Sequence, residues 1–285
     1  MTNTTNMNGM MKKIRRNEHT NEDLLQFPGL AAERNILHFV TSRRGGVSED
    51  TYASFNLGEY CGDIPENVEG NRRVLCSLLN ISPDRLFVPY QVHSDAIAVL
   101  DNSFLSLPGE QQRKYIYETD ALVTNEPTVC IAVTTADCVP VLLYAPDKKV
   151  IGVVHAGWKG TVQRIASKTI RLMKEQFGCT PEYIKAGIGP SIGFDAFEVG
   201  EEVVDAFITS GFNMEKIAKR NPGTGKAHVD LWLANQLQLQ EEGVSEKNIE
   251  VAGICTYTHN ETFFSARRLG IRSGRMLSGI MMNEL

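Results

Sequence analysis

The stretch Thr134–Gly160 constrains the fold most, because it predicts a β-hairpin that holds two metal-binding side chains, Cys138 and His155. Two apolar runs rich in β-branched residues flank a turn at Pro146-Asp147, which is typical of antiparallel strands. The runs are Pro140–Tyr144 and Val150–Val154. If the turn centres on Pro146-Asp147, Cys138 and His155 lie opposite each other with Cβ atoms about 5 Å apart. They could then share one metal ion or one proton, unless a bulge shifts the register or the two side chains simply pack.

The segment after His155 predicts a helix whose N-terminus favours an anion. AlaGlyTrpLysGly follows the strand, apolar residues then recur at helical spacing from Val162 to Phe177, and Gly178 is the stop. His155 therefore lies where a strand leads into a helix. Free backbone N–H groups and Lys159 at that point would attract negative charge.

Composition and charge exclude several classes of protein. The 285 residues are 42% apolar and 22% charged, which is ordinary for a globular chain. The net charge is −5 and no basic stripe is present, so we expect no nucleic-acid partner. No apolar run approaches the ~20 residues of a membrane helix, and the N-terminus lacks a signal peptide, so we expect no membrane association. The six cysteines form no CxxC pair, which favours a reduced, cytoplasmic chain.

The order of predicted elements favours an α+β fold, a single domain with mixed β-sheets flanked by helices. Residues 1–22 are polar and charged and are expected to be a disordered tail, with residues 23–285 forming the one catalytic domain. A long strand over 86–100 is predicted to carry His93, and a loop is predicted over 101–118. Further strands are predicted over 35–41, 120–124, 129–134, 183–188, 251–256 and 275–282, and helices over 65–80, 198–207 and 228–240.

Two polar loops contain arginine pairs. Arg43 lies in SerArgArgGlyGlyValSer, and Arg267 and Arg268 follow PhePheSerAla. Guanidinium groups bind phosphate or carboxylate through two parallel hydrogen bonds, so these loops are candidates for an anion pocket. The alternative is that these arginines are solvated surface side chains.

Several of these segments occur together, in this order, in one known family. They are SerArgArgGlyGlyValSer, SerPheAsnLeuGly, GlnValHisSer, ThrAlaAspCysValPro, HisAlaGlyTrpLysGly, GlyProSerIleGly, CysThrTyrThr and PhePheSerAlaArgArg. From about Asn35 to the C-terminus the chain closely resembles the YfiH/YlmD-like family. That family was once labelled polyphenol oxidase or multicopper laccase domain, and its members are associated with purine nucleoside phosphorylase activity.

The resemblance implies a YfiH-like, cysteine-hydrolase-like fold and a Zn²⁺ site of two histidines and one cysteine. Matched motif by motif, GlnValHisSer supplies His93, ThrAlaAspCysValPro supplies Cys138 and HisAlaGlyTrp supplies His155. The hairpin argument pairs Cys138 with His155, whereas His93 comes from the resemblance alone. Three protein ligands leave one coordination position open, which is typical of a catalytic zinc.

The resemblance also implies a zinc-dependent purine nucleoside phosphorylase that acts on adenosine, inosine and S-methyl-5′-thioadenosine and has adenosine deaminase activity. For deamination, Asp137 and Asp120 are the candidate proton carriers. Phosphorolysis needs cations that bind phosphate. The candidates are Arg43, Lys159, Arg267 and Arg268. The expected partners are therefore a purine nucleoside and phosphate.

Three alternatives stay open. Cys138 could be the nucleophile of a cysteine-type amidase that edits cell-wall precursors, with His155 or His93 as its base. A copper-dependent polyphenol oxidase would hold Cu²⁺ at the same ligands, although a full multicopper site needs more imidazoles than six histidines supply. A non-enzymatic binding module is the third alternative. The oligomeric state is left open and is compatible with a monomer.

Overall fold

The structure is a computed structural model and describes residues 11–14 and 24–284. Its strands are β1 Lys12–Ile14, β2 Leu24–Gln26, β3 Ile36–Thr41, β4 Leu86–Phe87, β5 Ile97–Val99, β6 Ala121–Thr124, β7 Cys130–Thr135, β8 Val139–Ala145, β9 Val150–Ala156, β10 Lys185–Ile188, β11 Glu198–Val199, β12 Ala218–Arg220, β13 Ala227–Val229, β14 Ile249–Val251 and β15 Met276–Met282. Its helices are α1 Pro28–Ala31, α2 Pro65–Leu79, α3 Asn102–Leu105, α4 Gly109–Tyr115, α5 Trp158–Val162, α6 Ile165–Phe177, α7 Glu201–Thr209, α8 Met214–Ile217, α9 Leu231–Glu241 and α10 Ala266–Leu269.

Two mixed six-stranded sheets form the centre of the fold. The first has the order β1-β2-β3-β15-β7-β4 and the second has the order β14-β10-β8-β9-β6-β5. A small three-stranded sheet, β11-β13-β12, lies beside them. Parallel and antiparallel pairs occur in both large sheets, so the predicted α+β fold with mixed sheets is confirmed.

The central strands are buried on both faces, which explains why they read as nearly continuous apolar runs. In β9, Ile151 and Val153 point toward the first sheet, while Val150 and Val154 join the core on the opposite side. This alternation has the period of two expected of a strand. His155 therefore shares the inter-sheet face of Ile151 and Val153.

Helices cover the two outer faces and complete a four-layer arrangement. The apolar face of α2 places Leu75 and Leu79 against Cys130 and Ala132 of the first sheet. Helices α6 and α9 cover the second sheet, where Ile170 of α6 joins the same core as the outer residues of β8 and β9. A helix of this kind draws most of its stability from burying its apolar stripe.

The predicted hairpin forms as β8 and β9, but its register differs from the prediction. Pro140, rather than Cys138, lies opposite His155, because the turn centres one residue later, on Asp147-Lys148. The shift moves the pairing by two residues, which is an even number. Cys138, just before β8, therefore stays on the same face as His155, because side chains alternate with a period of two.

The prediction of one long strand over residues 86–100 is wrong. Only β4 and β5 form there, and His93 lies in the loop between them with a left-handed φ of 62°. The carboxylate of Asp120 accepts hydrogen bonds from the backbone N–H groups of Val92, His93 and Ser94. Those N–H groups are therefore not available to a strand ladder.

Other boundaries differ for local reasons. The loop predicted over 101–118 contains α3 and α4, and the Asp101 carboxylate caps α3 by accepting from the Phe104 N–H. The helix predicted from residue 162 is two helices, since Arg164 adopts a left-handed conformation between α5 and α6. The helix predicted over 228–240 begins at Leu231, after Asp230 as its N-cap.

Most of the tail predicted over residues 1–22 lies outside the described residues. Within it, Lys12–Ile14 forms β1 and pairs with β2. Across residues 11–14 and 24–284, no helix has the length and apolar character needed to cross a membrane.

His38 gives the fold an acid-sensitive point. Its side chain is fully buried in β3, where Nε2 accepts the Phe27 N–H at 2.9 Å. Burial lowers the pKa of His38 from 6.5 to about 3. Below pH 6.5, His38 therefore binds a proton in the unfolded chain but stays neutral in the folded chain. We expect this group to lower the free energy of unfolding by about 1.4 kcal/mol per pH unit as the pH falls below 6.5.

His38→Gln isolates this effect because glutamine keeps an acceptor for the Phe27 N–H and does not titrate. Urea unfolding of both proteins near neutral pH and near pH 5 measures it. The wild type should lose about 2 kcal/mol more than the variant over that interval. Identical losses in the two proteins would contradict a neutral buried His38.

Candidate metal centre and cavity

A cavity of about 1020 Å³ opens at one end of the paired sheets. Residues between Gly58 and Arg275 line it, and they include three metal-binding side chains: His93, Cys138 and His155. Within residues 11–14 and 24–284 these three form the one group of potential ligands that comes together. A cavity of this size accommodates a small organic molecule together with a small ion.

Three different elements position these side chains. His155 is the penultimate residue of β9 and is almost fully buried. Cys138 directly precedes β8, after Asp137 at a φ of 86°. His93 lies on the loop between β4 and β5 and is exposed. The metal-binding group therefore joins the rigid end of a hairpin to one loop residue.

The Asp120 carboxylate holds the His155 ring and the His93 backbone in position. Its Oδ1 accepts from His155 Nδ1 at 2.7 Å and from the His93 backbone N–H at 3.0 Å. Its Oδ2 accepts from the Val92 N–H, the Ser94 N–H and the Ser94 hydroxyl. Asp120 is fully buried. A carboxylate behind a metal-binding histidine sets the tautomer and orientation of the ring, and here it leaves Nε2 of His155 for a metal.

One pair of donor atoms lies near the separation that a tetrahedral metal requires, and the third donor atom lies close to both. Cys138 Sγ lies 3.7 Å from His93 Nε2, and all three donor atoms lie within 4.8 Å of one another. Ligands at ordinary zinc–sulfur and zinc–nitrogen distances would be about 3.5 Å apart. The donor set of one thiolate and two imidazoles suits Zn²⁺ and also suits copper. The residues therefore fit a bound transition metal.

Cys138 and His155 also form a charged pair. Burial raises the pKa of the Cys138 thiol, but the adjacent imidazoles of His155 and His93 outweigh burial and bring this pKa to about 6. Burial lowers the pKa of His155, but the Cys138 thiolate and the Asp120 hydrogen bond outweigh burial and raise this pKa to about 9. A thiolate at neutral pH is the form that binds metal, and it is also the form that attacks an electrophile.

Asp137 differs from Asp120 in its access to the cavity. Asp137 lines the cavity wall and is 9% exposed. Its Oδ1 accepts the Thr256 hydroxyl at 2.6 Å and its Oδ2 accepts the Arg267 backbone N–H at 2.6 Å. Each carboxylate oxygen keeps a further lone pair, so Asp137 can still accept a proton from a molecule in the cavity.

Of the four cationic side chains that the sequence suggests for phosphate binding, one lines the cavity and three do not. Arg267 lines the cavity. Arg43 does not: it donates to the carbonyl oxygens of Ala53 and Asn260 and lies over the Phe264 ring. Lys159 and Arg268 also lie outside the described cavity lining. Lys159 lies above the Trp158 ring, and Arg268 contacts Tyr257.

Sequence reasoning missed several side chains that line the cavity. They are Tyr60, Arg72, Tyr90, Gln91, Trp158, Phe197, Arg272 and Arg275. They come from separate loops and helices, so no local spacing connects them. The sequence did point to Gln91, because it belongs to the same GlnValHisSer motif as His93. Its side chain both donates to and accepts from the backbone of Thr134, which ties the His93 loop to β7.

Gly157 is required beside the metal-binding group. A Cβ at this position would lie 2.9 Å from Cys138 Sγ and 3.0 Å from His93 Cδ2. Alanine adopts the Gly157 backbone conformation, φ −62° and ψ 171°, without strain. The effect of the substitution therefore comes from the steric contacts of the new Cβ. We expect Gly157→Ala to fold and to bind zinc at least about tenfold more weakly, because two ligands must move apart.

The matched control is Gly70→Ala in α2, where a new Cβ meets Val47 at 3.6 Å, an ordinary contact. Zinc affinity of both variants is measured by competition with a chromophoric chelator. Equal affinity of Gly157→Ala and the wild type would contradict the geometry of the group.

Several known proteins are similar to this chain over most of its length. The chain is 46% identical over 261 residues to a purine nucleoside phosphorylase of Bacteroides thetaiotaomicron, covering 92% of this chain and 97% of that protein. It is 43% identical over 242 residues to a protein named adenosine deaminase RL5 from an unknown prokaryotic organism, covering 85% and 92%. The crystal structure of YlmD from Geobacillus stearothermophilus superposes with a TM-score of 0.85 at 31% identity, covering 95% and 98%.

A family model described as multi-copper polyphenol oxidoreductase laccase matches residues 37–283, which is most of the chain. The match includes every residue of the metal-binding group and agrees with the resemblance inferred from the motifs. The chain belongs to this laccase-like family, whose named members here include purine nucleoside phosphorylases and an adenosine deaminase.

Proposed function

We propose that the chain is a zinc-dependent purine nucleoside phosphorylase that acts on adenosine, inosine and S-methyl-5′-thioadenosine and also deaminates adenosine. The observation that supports this most is the convergence of His93, Cys138 and His155 on one cavity large enough for a nucleoside and phosphate. The names of two similar proteins, a purine nucleoside phosphorylase and an adenosine deaminase, point to the same pair of reactions.

Zinc held by His93, Cys138 and His155 would supply a Lewis acid with one open position and lower the pKa of a bound water. The chain itself supplies orientation and charge. Asp120 keeps the His155 imidazole and the His93 backbone in place, and its five hydrogen bonds leave it little capacity for proton transfer. Asp137 faces the cavity and is the better candidate to accept and return a proton near the ligand.

The walls suit a purine base and a ribose. Trp158 and Phe197 line the cavity beside the metal-binding group and offer flat apolar surface to a base. Arg267 adds a cation on the same wall, with its guanidinium 5.6 Å from the Phe197 ring. Aromatic faces give stacking energy that varies little between adenine and hypoxanthine, which is consistent with several purine nucleosides as substrates.

Product analysis tests this proposal. Zinc-loaded protein is incubated with adenosine, with and without phosphate, and the products are separated by chromatography. We expect adenine and ribose 1-phosphate only when phosphate is present, and inosine in both mixtures. Formation of neither product by protein that retains zinc would overturn the nucleoside assignment.

A second candidate is a cysteine-type amide hydrolase, and one observation favours it. Cys138 has a pKa lowered to about 6 beside two imidazoles, which is the arrangement of an activated nucleophile. A chelator separates the two candidates, because removal of zinc silences a zinc enzyme and leaves a thiolate nucleophile active. Cu²⁺ at the same ligands is a third possibility for the resident metal, and metal analysis of the purified protein decides it.

A further inference from the structure

The charge of the cavity is opposite to that of the chain. The lining contains four arginines, Arg72, Arg267, Arg272 and Arg275, and two acidic residues, Glu59 and Asp137, an excess of two positive charges. The whole chain has a net charge of −5. A positive cavity in an acidic protein concentrates anions at that point.

Three of these arginines have no acidic side-chain partner in the described part of the chain, and one of the three, Arg267, lies against the Phe197 ring. The Arg275 guanidinium donates to the carbonyl oxygens of Ile271, Ser273 and Gly274 and is half-buried. These contacts fix its position without neutralising its charge. Arg272 is exposed at the cavity wall and makes no ion pair with a described residue. Arg72, by contrast, is paired with Glu59 at 3.0 Å.

Arg272 and Arg275 line the same cavity as the metal-binding group, and the backbone of Arg275 lies at the end of the sheet next to it. β15 begins directly after Arg275, and its first residue, Met276, pairs with Thr135, three residues before Cys138. On the other side, the Arg275 carbonyl accepts the Leu57 N–H, and the aliphatic part of its side chain lies against Gly58. Arg275 is thus held between the end of the central sheet and the wall that follows residue 57.

We infer that Arg272 and Arg275 form the site that binds inorganic phosphate for phosphorolysis, separate from the purine wall formed by Trp158 and Phe197. This inference rests on the proposed function. It replaces Arg43, Lys159 and Arg268, which lie outside the cavity lining. Guanidinium groups without a counter-ion bind a phosphate dianion through charge-assisted hydrogen bonds.

The chemistry of the transfer fits such a site. A phosphate oxygen forms a bond to C1′ of the ribose while the bond from C1′ to purine N9 breaks. The electron pair of that bond leaves on N9, which takes up a proton from water or an acidic group, and ribose 1-phosphate remains. The cations hold the phosphate close to C1′ and keep its charge in place during the transfer.

Arg272→Gln and Arg272→Glu test the site, because the side chain is exposed and the substitutions leave the core intact. Arg73→Gln in α2 is the matched control: Arg73 is an exposed neighbour of Arg72 and pairs with Glu69. We expect the KM for phosphate to rise about tenfold in Arg272→Gln and further in Arg272→Glu. In the same variants, the ratio of phosphorolysis to deamination of adenosine should fall. A KM for phosphate no higher than that of Arg73→Gln would overturn the inference.

Calorimetric titration with inorganic phosphate separates this inference from the proposed function. If the wild type forms no nucleoside product, the proposed function fails. Binding of phosphate that weakens about tenfold in Arg272→Gln would still support the site, and equal binding would overturn it. The phosphate of a nucleotide shares the same chemistry. An effect of Arg272→Gln on adenosine 5′-monophosphate, with none on free phosphate, would also overturn the assignment to inorganic phosphate.

Discussion

Cys138→Ala should lose its zinc and at least about a thousandfold of its kcat/KM for adenosine in both phosphorolysis and deamination. The substitution removes the only thiolate of the group and leaves two imidazoles, of which His93 is exposed on a loop. Two imidazoles alone hold a metal weakly, because protein zinc sites ordinarily take three or four protein ligands. Zinc content per chain and product formation are measured on the same preparation.

Cys255→Ser is the matched control for Cys138→Ala. Cys255 is half-buried outside the described cavity lining, and its Sγ accepts the Gly193 N–H at 3.2 Å, a role that a serine hydroxyl can keep. We expect this variant to retain zinc and turnover. Full zinc content or full turnover in Cys138→Ala would contradict the site.

Asp120→Asn should weaken zinc binding by about ten- to a hundredfold and lower the free energy of unfolding by about 3 kcal/mol. Each oxygen of Asp120 accepts from at least two donors, so the new amide group faces N–H donors whichever way it turns. The His93 loop and the His155 ring then lose their shared anchor. Burial raises the pKa of Asp120, but the hydrogen bond and charge of His155 together with the Ser94 hydrogen bonds outweigh burial and lower it, so the carboxylate is charged at neutral pH.

Asp95→Asn, on the loop that carries His93, is the control for Asp120→Asn. Asp95 pairs with Lys168 at the surface, where an ion pair contributes little. We expect a change in unfolding free energy below about 1 kcal/mol and unchanged zinc affinity. A chelator competition assay and urea unfolding measure both quantities. If Asp120→Asn bound zinc as tightly as Asp95→Asn, the anchoring role of Asp120 would be wrong.

Local patterns in the sequence were sufficient for much of the fold. The apolar runs of β8 and β9, the amphipathic α2 and the Gly178 stop of α6 all appear where spacing predicts them. The boundary errors at α3, α6 and α9 have local causes, but elsewhere a distant group overrides a local pattern. The clearest case is the segment around His93, where the Asp120 carboxylate takes three backbone N–H groups that a strand would have used.

The candidate site was predictable only in part for the same reason. Cys138 and His155 lie on one hairpin, so periodicity brought them together even though the register was off by two residues. His93 required the resemblance, since it is on a separate loop. The arginines of the cavity come from α2, from α10 and from the segment before β15, and only the tertiary fold brings them to one wall.

The most direct test of the account is a zinc titration of metal-free protein. Protein stripped with a chelator is titrated with Zn²⁺ while the products from adenosine and phosphate are measured. The account predicts no turnover without metal and a linear rise that stops at one zinc per chain, with no rise in Cys138→Ala. Full turnover by the metal-free wild type would contradict it and leave the thiolate of Cys138 as the reactive group.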